Sequence, residues 1–228
     1  MIAVPAGPMV NAGSGPADPR PWINIDGSWQ ARLAGHRWIA RAGSRLLGID
    51  IGHWPRGVRY RDVRRGLGYP DGSLAVVYAS HMLEHLHRDE ALRFLEDTHR
   101  ALMPAGVCRI VVPDVEQIVR WYLAHQREPI ETRREPSSDL LMGLMLLRPK
   151  SAGRGSGLLR LARRVVDLHE HKWMYDRQGL MALFREAGFR CPAPRDFLDS
   201  AIPRAALEQV EQRDRVEGGA GACVESRK

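Results

Sequence analysis

Residues 70–86, PDGSLAVVYASHMLEHL, constrain the fold more than any other stretch of the chain. Pro70-Asp71-Gly72-Ser73 is turn chemistry, and it leads into Leu74-Ala75-Val76-Val77-Tyr78-Ala79, an apolar run without polar alternation. That is the pattern of a strand buried on both faces, as in parallel sheets covered by helices on either side. The run breaks at Ser80-His81, and the sequence reads on into a helix carrying Glu84 and His85. Polar groups just past the carboxyl end of such a strand stand where open α/β sheets bind ligands.

The rest of the chain supplies partners for that strand. Met9-Val10-Asn11-Ala12 and Trp22-Ile23-Asn24-Ile25-Asp26 are short strands closed by Gly13-Ser14-Gly15-Pro16 and Gly27-Ser28. Residues 29–47 carry apolar side chains at helical spacing, and Val58–Val63 alternates like a strand. Residues 88–103 place Leu92, Leu95 and Leu102 on one helical face, and Pro104-Ala105-Gly106 stops that helix before a strand over Val107–Val112. A helix from Val115 to about His125 follows. Helical spacing recurs at 157–168 and 176–187, the second stopped by Gly188. Phe189–Phe197 reads as a strand broken by Pro192 and Pro194, residues 203–217 as one charged amphipathic helix, and Ala222–Ser226 as a last strand. Strands alternating with helices predict an α/β fold with a mostly parallel sheet, in a single domain over 1–228. Residues 126–156, with Pro129, Pro136, Pro149 and a Gly/Ser/Arg run around an apolar island at Leu140–Leu147, read as an insertion and a candidate lid.

Composition narrows the class. No run approaches the roughly 18 apolar residues of a membrane helix. Pro5 and Pro8 interrupt the apolar start, against a secretory signal. Cys108, Cys191 and Cys223 are scattered and odd in number, as for reduced thiols in a cytoplasmic protein. The net charge of +7 rests on arginine, since Lys150, Lys172 and Lys228 are the only lysines. The arginines form no dense basic cluster, so neither nucleic acid nor membrane is expected as a partner. A homodimer is left open.

The chemistry begins at Asn11-Ala12-Gly13-Ser14-Gly15, where a strand ending in Gly-x-Gly lets backbone approach a ligand closely. Asp26, at the end of the next strand, stands where an acid accepts hydrogen bonds from ribose hydroxyls. It follows Gly15 by 11 positions, against about 20 in the dinucleotide fingerprint, so the connecting helix is very short or absent. With the third glycine also missing, the site reads as one for a single adenosine. Asp62 ends the following strand and is placed to receive an adenine amino group. Asp50, closing Leu46–Ile51, is the rival ribose acid.

Met9–Gly15, Trp22–Trp29, Tyr69–Leu86, Arg109–Asp114 and His171–Asp176 together resemble the class I S-adenosylmethionine-dependent methyltransferases. Within them the chain is similar to the type-11-like group found near bacterial polysaccharide and secondary-metabolite genes. The resemblance implies a Rossmann-like seven-stranded, mostly parallel sheet with helices on both faces and a reversed final hairpin. It implies S-adenosyl-L-methionine as cofactor, with Asn11, Ala12, Gly13, Ser14 and Gly15 around its methionine part, Asp26 on the ribose, and Asp62 with Val63 flanking the adenine. Ser80 and His81 would lie beside the sulfonium. The acceptor would be a small molecule or a glycan-like one. Two departures from the family pattern are Ala105-Gly106 for a common Gly-Gly and Ala75 for a polar residue.

Methyl transfer asks the protein for positioning and, for a hydroxyl acceptor, a base. His81 and His171 are the catalytic candidates, with Tyr175 and Asp114 behind them. No metal is expected: in His81-Met82-Leu83-Glu84-His85 the glutamate precedes the second histidine instead of following the first, which fails the zinc-peptidase order. His169 and His171, around Glu170, are a lone His-x-His pair, and His85 is expected to pack. The alternatives are a non-catalytic cofactor-binding protein that kept the fold and, more distantly, a nicotinamide reductase.

Overall fold

The Leu74–Ser80 strand is the centre of the structure, a computed structural model in which residues 3–33, 54–133, 135–146, 171–217 and 221–228 are described. All seven of its residues are buried. The strands are β1 (Met9–Ala12), β2 (Ile23–Asp26), β3 (Arg59–Tyr60), β4 (Leu74–Ser80), β5 (Leu102–Pro113), β6 (Ala193–Pro194) and β7 (Gly221–Arg227). They form one seven-stranded sheet in the order β3-β2-β1-β4-β5-β7-β6. β1 to β5 run parallel and β7 runs antiparallel to both β5 and β6, so the α/β fold and its reversed final hairpin are as expected.

Helices α1 (Trp29–Leu33), α2 (Arg88–Ala101), α3 (Val115–Gln126), α4 (Ser137–Leu144), α5 (Arg177–Glu186), α6 (Arg204–Leu207) and α7 (Arg213–Val216) complete the described elements. Two apolar layers sandwich the sheet. One packs Phe94, Leu95, Leu180 and Phe184 from α2 and α5 against Val77, Ala79 and Ile110. The other packs Trp22, Ile202, Leu207 and Val216 against Val76, Tyr78 and Val111. Alternate residues of β4 serve opposite layers, which is why that strand tolerates no polar residue before Ser80. None of the described helices is long and apolar enough to cross a membrane.

Several elements differ from their sequence patterns for identifiable reasons. The 58–63 alternation yields only the two-residue edge strand β3, because the Asp62 carboxylate accepts from the Arg64 amide and caps a 3-10 turn over Val63–Arg65. Glu84 and His85 sit on a single 3-10 turn, Leu83–His85, rather than on a helix. The helix begins only at Arg88, where the Glu90 carboxylate takes the His87 amide at 2.9 Å. β5 starts at Leu102, with Pro104-Ala105-Gly106 absorbed where the pairing with β4 shifts register. The charged 203–217 segment is two short helices, α6 and α7, separated because Glu211 turns into the core. Of the 126–156 insertion, a 3-10 turn at Ile130–Thr132 and α4 are described. Residues 134 and 147–156 of it, the 157–168 helix, Asp50 with its strand, His169 and most of the 29–47 helix lie outside the described residues.

Candidate active site

The sheet order places a topological switch point between β1 and β4, since the chain winds outward from β1 through β2 and β3 and then returns to the other side. The register pairs Ala12 with Ala79, so the glycine loop and Ser80-His81 leave the sheet side by side. Gly13 and Gly15 take the left-handed conformation, with φ of 71° and 58°. A Cβ on Gly13 would lie 2.5 Å from Met82 Cγ, so this position lets the loop after β1 close onto the segment after β4. Among the described residues nothing lies within 4 Å of a Cβ built on Gly15.

Asp26 is held by two backbone amides, Gly15 N–H to Oδ2 at 2.9 Å and Ser28 N–H to Oδ1 at 2.8 Å. Each oxygen keeps acceptor capacity, and the fixed carboxylate adjoins the glycine loop. Asn11 and Ala12 are buried strand residues; the Asn11 amide is spent on Asn24 Oδ1 of β2, at 3.0 Å. That bond ties β1 to β2. Ser14 bonds its own loop, Oγ donating to the Gly15 carbonyl. Asp62 and Val63 reach the same edge, tied to β2 by the Arg61 N–H donating to the Asp26 carbonyl at 2.9 Å. Val63 is buried, whereas Asp62 is taken by the Arg64 guanidinium at 2.8 and 2.9 Å, which pulls its carboxyl below the usual carboxylate range.

Ser80 ends β4, and His81 N–H still donates to the Val111 carbonyl of β5 at 2.9 Å. His81 itself adopts φ of 53°, a strained conformation for a non-glycine residue that turns the chain out of the sheet. Its Nδ1 lies 3.5 Å from Glu84 Oε1, and its Nε2 is buried with no hydrogen-bond partner among the described residues. The distant HKWMYD block arrives here through backbone pairing. Lys172 and Trp173 N–H donate to the Glu84 carbonyl at 2.7 and 3.2 Å, and Val115 N–H to the Tyr175 carbonyl at 2.9 Å. His171 Nε2 thereby stands 3.8 Å from Glu84 Oε1.

Electrostatics follow from burial. Desolvation pushes His81 down to about 4, with the Arg215 charge a smaller contribution, and pushes His171 down to about 4. Both imidazoles are neutral at pH 7. Glu84, fully buried, is raised to about 8 by desolvation, so it holds a proton there. Burial also raises the Tyr175 phenol and the Asp114 carboxyl. Asp114 caps α3 by accepting from the Glu116 amide at 3.0 Å, as Asp176 caps α5.

The structure therefore brings Gly13, Gly15, Asp26, Ser80 and His81 to the carboxyl ends of the adjacent strands β1, β2 and β4. His171 lies beside the Leu83–His85 turn, behind His81. The residue that sequence reasoning undervalued is Glu84. Its signal was an acid flanked by apolar Leu83 inside an otherwise buried block.

Among solved structures the chain is similar to a SAM-dependent methyltransferase, possible histamine N-methyltransferase, from Thermotoga maritima. The two share 18% identity at a TM-score of 0.51, over 98% of this chain and 83% of that one. An S-adenosylmethionine-dependent methyltransferase from Mesorhizobium loti shares 17% identity at a TM-score of 0.46, over 100% of this chain and 94% of that one. No curated protein matches the sequence. A methyltransferase-domain family model matches residues 26–192, well over half of the chain, and the chain belongs to that methyltransferase family.

Proposed function

We propose that this chain transfers a methyl group from S-adenosylmethionine to a small-molecule or glycan-like acceptor, in bacterial polysaccharide or secondary-metabolite synthesis. One observation carries the reading. The left-handed glycine loop and an Asp26 carboxylate pinned by the amides of Gly15 and Ser28 adjoin at the β1/β2 ends, next to the β4 exit at Ser80-His81. S-adenosylmethionine is the cofactor that the fold and the family imply, and it supplies a methyl on a sulfonium with a good leaving group. The residues present fit it. Asp26 has acceptor capacity left for ribose hydroxyls, and among the described residues Gly15 opens onto space that the methionine part can occupy.

The protein's own work is positioning and proton handling. A charged imidazole beside a sulfonium would repel it, and burial keeps His81 neutral. The same neutral ring is in the protonation state needed to accept a proton from an acceptor hydroxyl through Nε2. His171, the second candidate base, has Nε2 close to Glu84 and is the less direct choice. Substrate selection belongs to residues 126–175, with the exposed Trp173 as a candidate wall of the acceptor pocket.

Isothermal calorimetry with S-adenosylhomocysteine tests the reading. Saturable binding by the wild type, weakened by about tenfold or more in Asp26→Ala, is expected, about 1.4 kcal/mol of binding free energy. Absence of binding by the wild type overturns it.

A further inference from the structure

Glu84 presents a problem the methyltransferase reading does not solve. Its side chain is 0% exposed, and neither carboxyl oxygen has a hydrogen-bond partner among the described residues. Buried carboxylates in stable proteins are ordinarily met by donors, because an unsatisfied buried acceptor carries its full desolvation penalty. What surrounds this one is imidazole. His171 Nε2 is 3.8 Å from Oε1 and His81 Nδ1 is 3.5 Å from it. The His85 ring stands edge-on to that of His171 at 5.0 Å between centroids. One ligand atom each from Glu84, His85 and His171 lies within 4.8 Å of the others.

Donors bound to one ion at about 2.0–2.2 Å are necessarily held within about 4.4 Å of one another, so small side-chain adjustments bring this trio to an ion. The backbone already fixes the trio. Two residues belong to the Leu83–His85 turn, and the third is stitched to it by the Lys172 and Trp173 amides on the Glu84 carbonyl. Imidazole, imidazole and carboxylate suit a borderline divalent cation such as Zn2+ better than Mg2+ or Ca2+, which take mainly oxygen ligands.

We propose that Glu84, His85 and His171 form a binding site for a divalent transition-metal ion of the zinc class, directly behind His81. The trio does not follow the zinc-peptidase order: Glu84 and His85 are adjacent on one 3-10 turn and the third ligand comes from the distant HKWMYD block. Three protein ligands leave a coordination position open, the arrangement of catalytic rather than structural sites. The site stands on these side chains alone and does not depend on the methyl-transfer reading. It assigns His171 to the ion and leaves His81 as the base.

The test uses the full chain, stripped with chelator, in a Cys191→Ser background so that the exposed thiol cannot be the source of binding. Zn2+ retained through gel filtration is measured by elemental analysis, and Co2+ serves as a visible-absorption probe displaced by Zn2+. Expected is about one ion per chain, with affinity reduced by about tenfold or more in each of Glu84→Gln, His85→Gln and His171→Ala. Circular dichroism establishes that each variant is folded; His85→Gln, at a partly exposed position, covers the case in which a buried variant fails to fold. No retained Zn2+ in the wild type, or equal retention in folded variants, overturns the proposal. Calorimetry with S-adenosylhomocysteine on the same metal-free protein reports separately on the methyltransferase reading.

Discussion

Two buried carboxylate centres lie on this sheet, and they are built in opposite ways. On β5 and β7, Arg109 is 0% exposed and meets Glu211 at 2.7 Å and Glu225 at 3.3 Å. The remaining guanidinium hydrogens go to the carbonyls of Asp196 and Asp199, both at 2.8 Å. The carboxylates in turn accept from the amides of Leu198 and Ala201 and from the Ser200 hydroxyl. Each guanidinium hydrogen and each carboxylate oxygen of that network has a partner. At Glu84, by contrast, neither oxygen has a hydrogen-bond partner among the described residues, and two imidazoles stand near Oε1. A closed network of buried charge fixes the fold, whereas a buried acid with unused oxygens keeps acceptor capacity for a ligand.

Breaking the closed centre gives the largest expected effect. Arg109→Met leaves two buried carboxylates without their cation, and urea denaturation is expected to report a loss of about 3–5 kcal/mol or failure to fold. A loss under about 1 kcal/mol would erase the distinction between the centres. Gly13→Ala tests the joint between the glycine loop and the Glu84 segment. The added Cβ would meet Met82 Cβ at 2.6 Å at a φ of 71°, so a loss of about 1–3 kcal/mol is expected in the same assay. Little change there would mean the loop moves freely away from Met82. The smallest effect is expected at the open centre. Glu84→Gln, assayed metal-free, removes no hydrogen bond and offers an amide that can donate to a neutral imidazole, so stability should shift by under about 1 kcal/mol. Destabilisation as large as that of Arg109→Met would show that Glu84 belongs to the framework.

Neither centre was legible in the sequence, whereas the frame around them was. β4, the glycine loop and Asp26 could be read because local patterns carried them: an unbroken apolar run, a Gly-x-Gly at a strand end, an acid closing the next strand; the reversed hairpin followed from the family resemblance. The caps Asp114 and Asp176 were marked by helical spacing starting just after them. The Arg109 network and the Glu84 cluster could not be read that way. Arg109 sits in a strand 102 residues before Glu211, and nothing in the 203–217 helical pattern shows that Glu211 will break it to enter the core. Asp62 could be placed at the right edge from its strand pattern, but its capture by Arg64 depends on a turn that the alternation concealed.

Sequence alone determined what depends on short range: which segments are strands, where β4 ends, and that Gly13, Asp26 and Ser80-His81 stand at strand ends. Strand order and winding then bring those ends together, because each strand's carboxyl end faces the same side of a parallel sheet. Tertiary structure alone decided which polar groups are satisfied. His171 reaches Glu84 only because the amides of Lys172 and Trp173 pair with the Glu84 carbonyl, a contact between segments with no shared pattern. Burial and hydrogen-bond satisfaction are properties of the packed chain, so the open carboxylate at Glu84, and the ion we assign to it, appear only once the fold is closed.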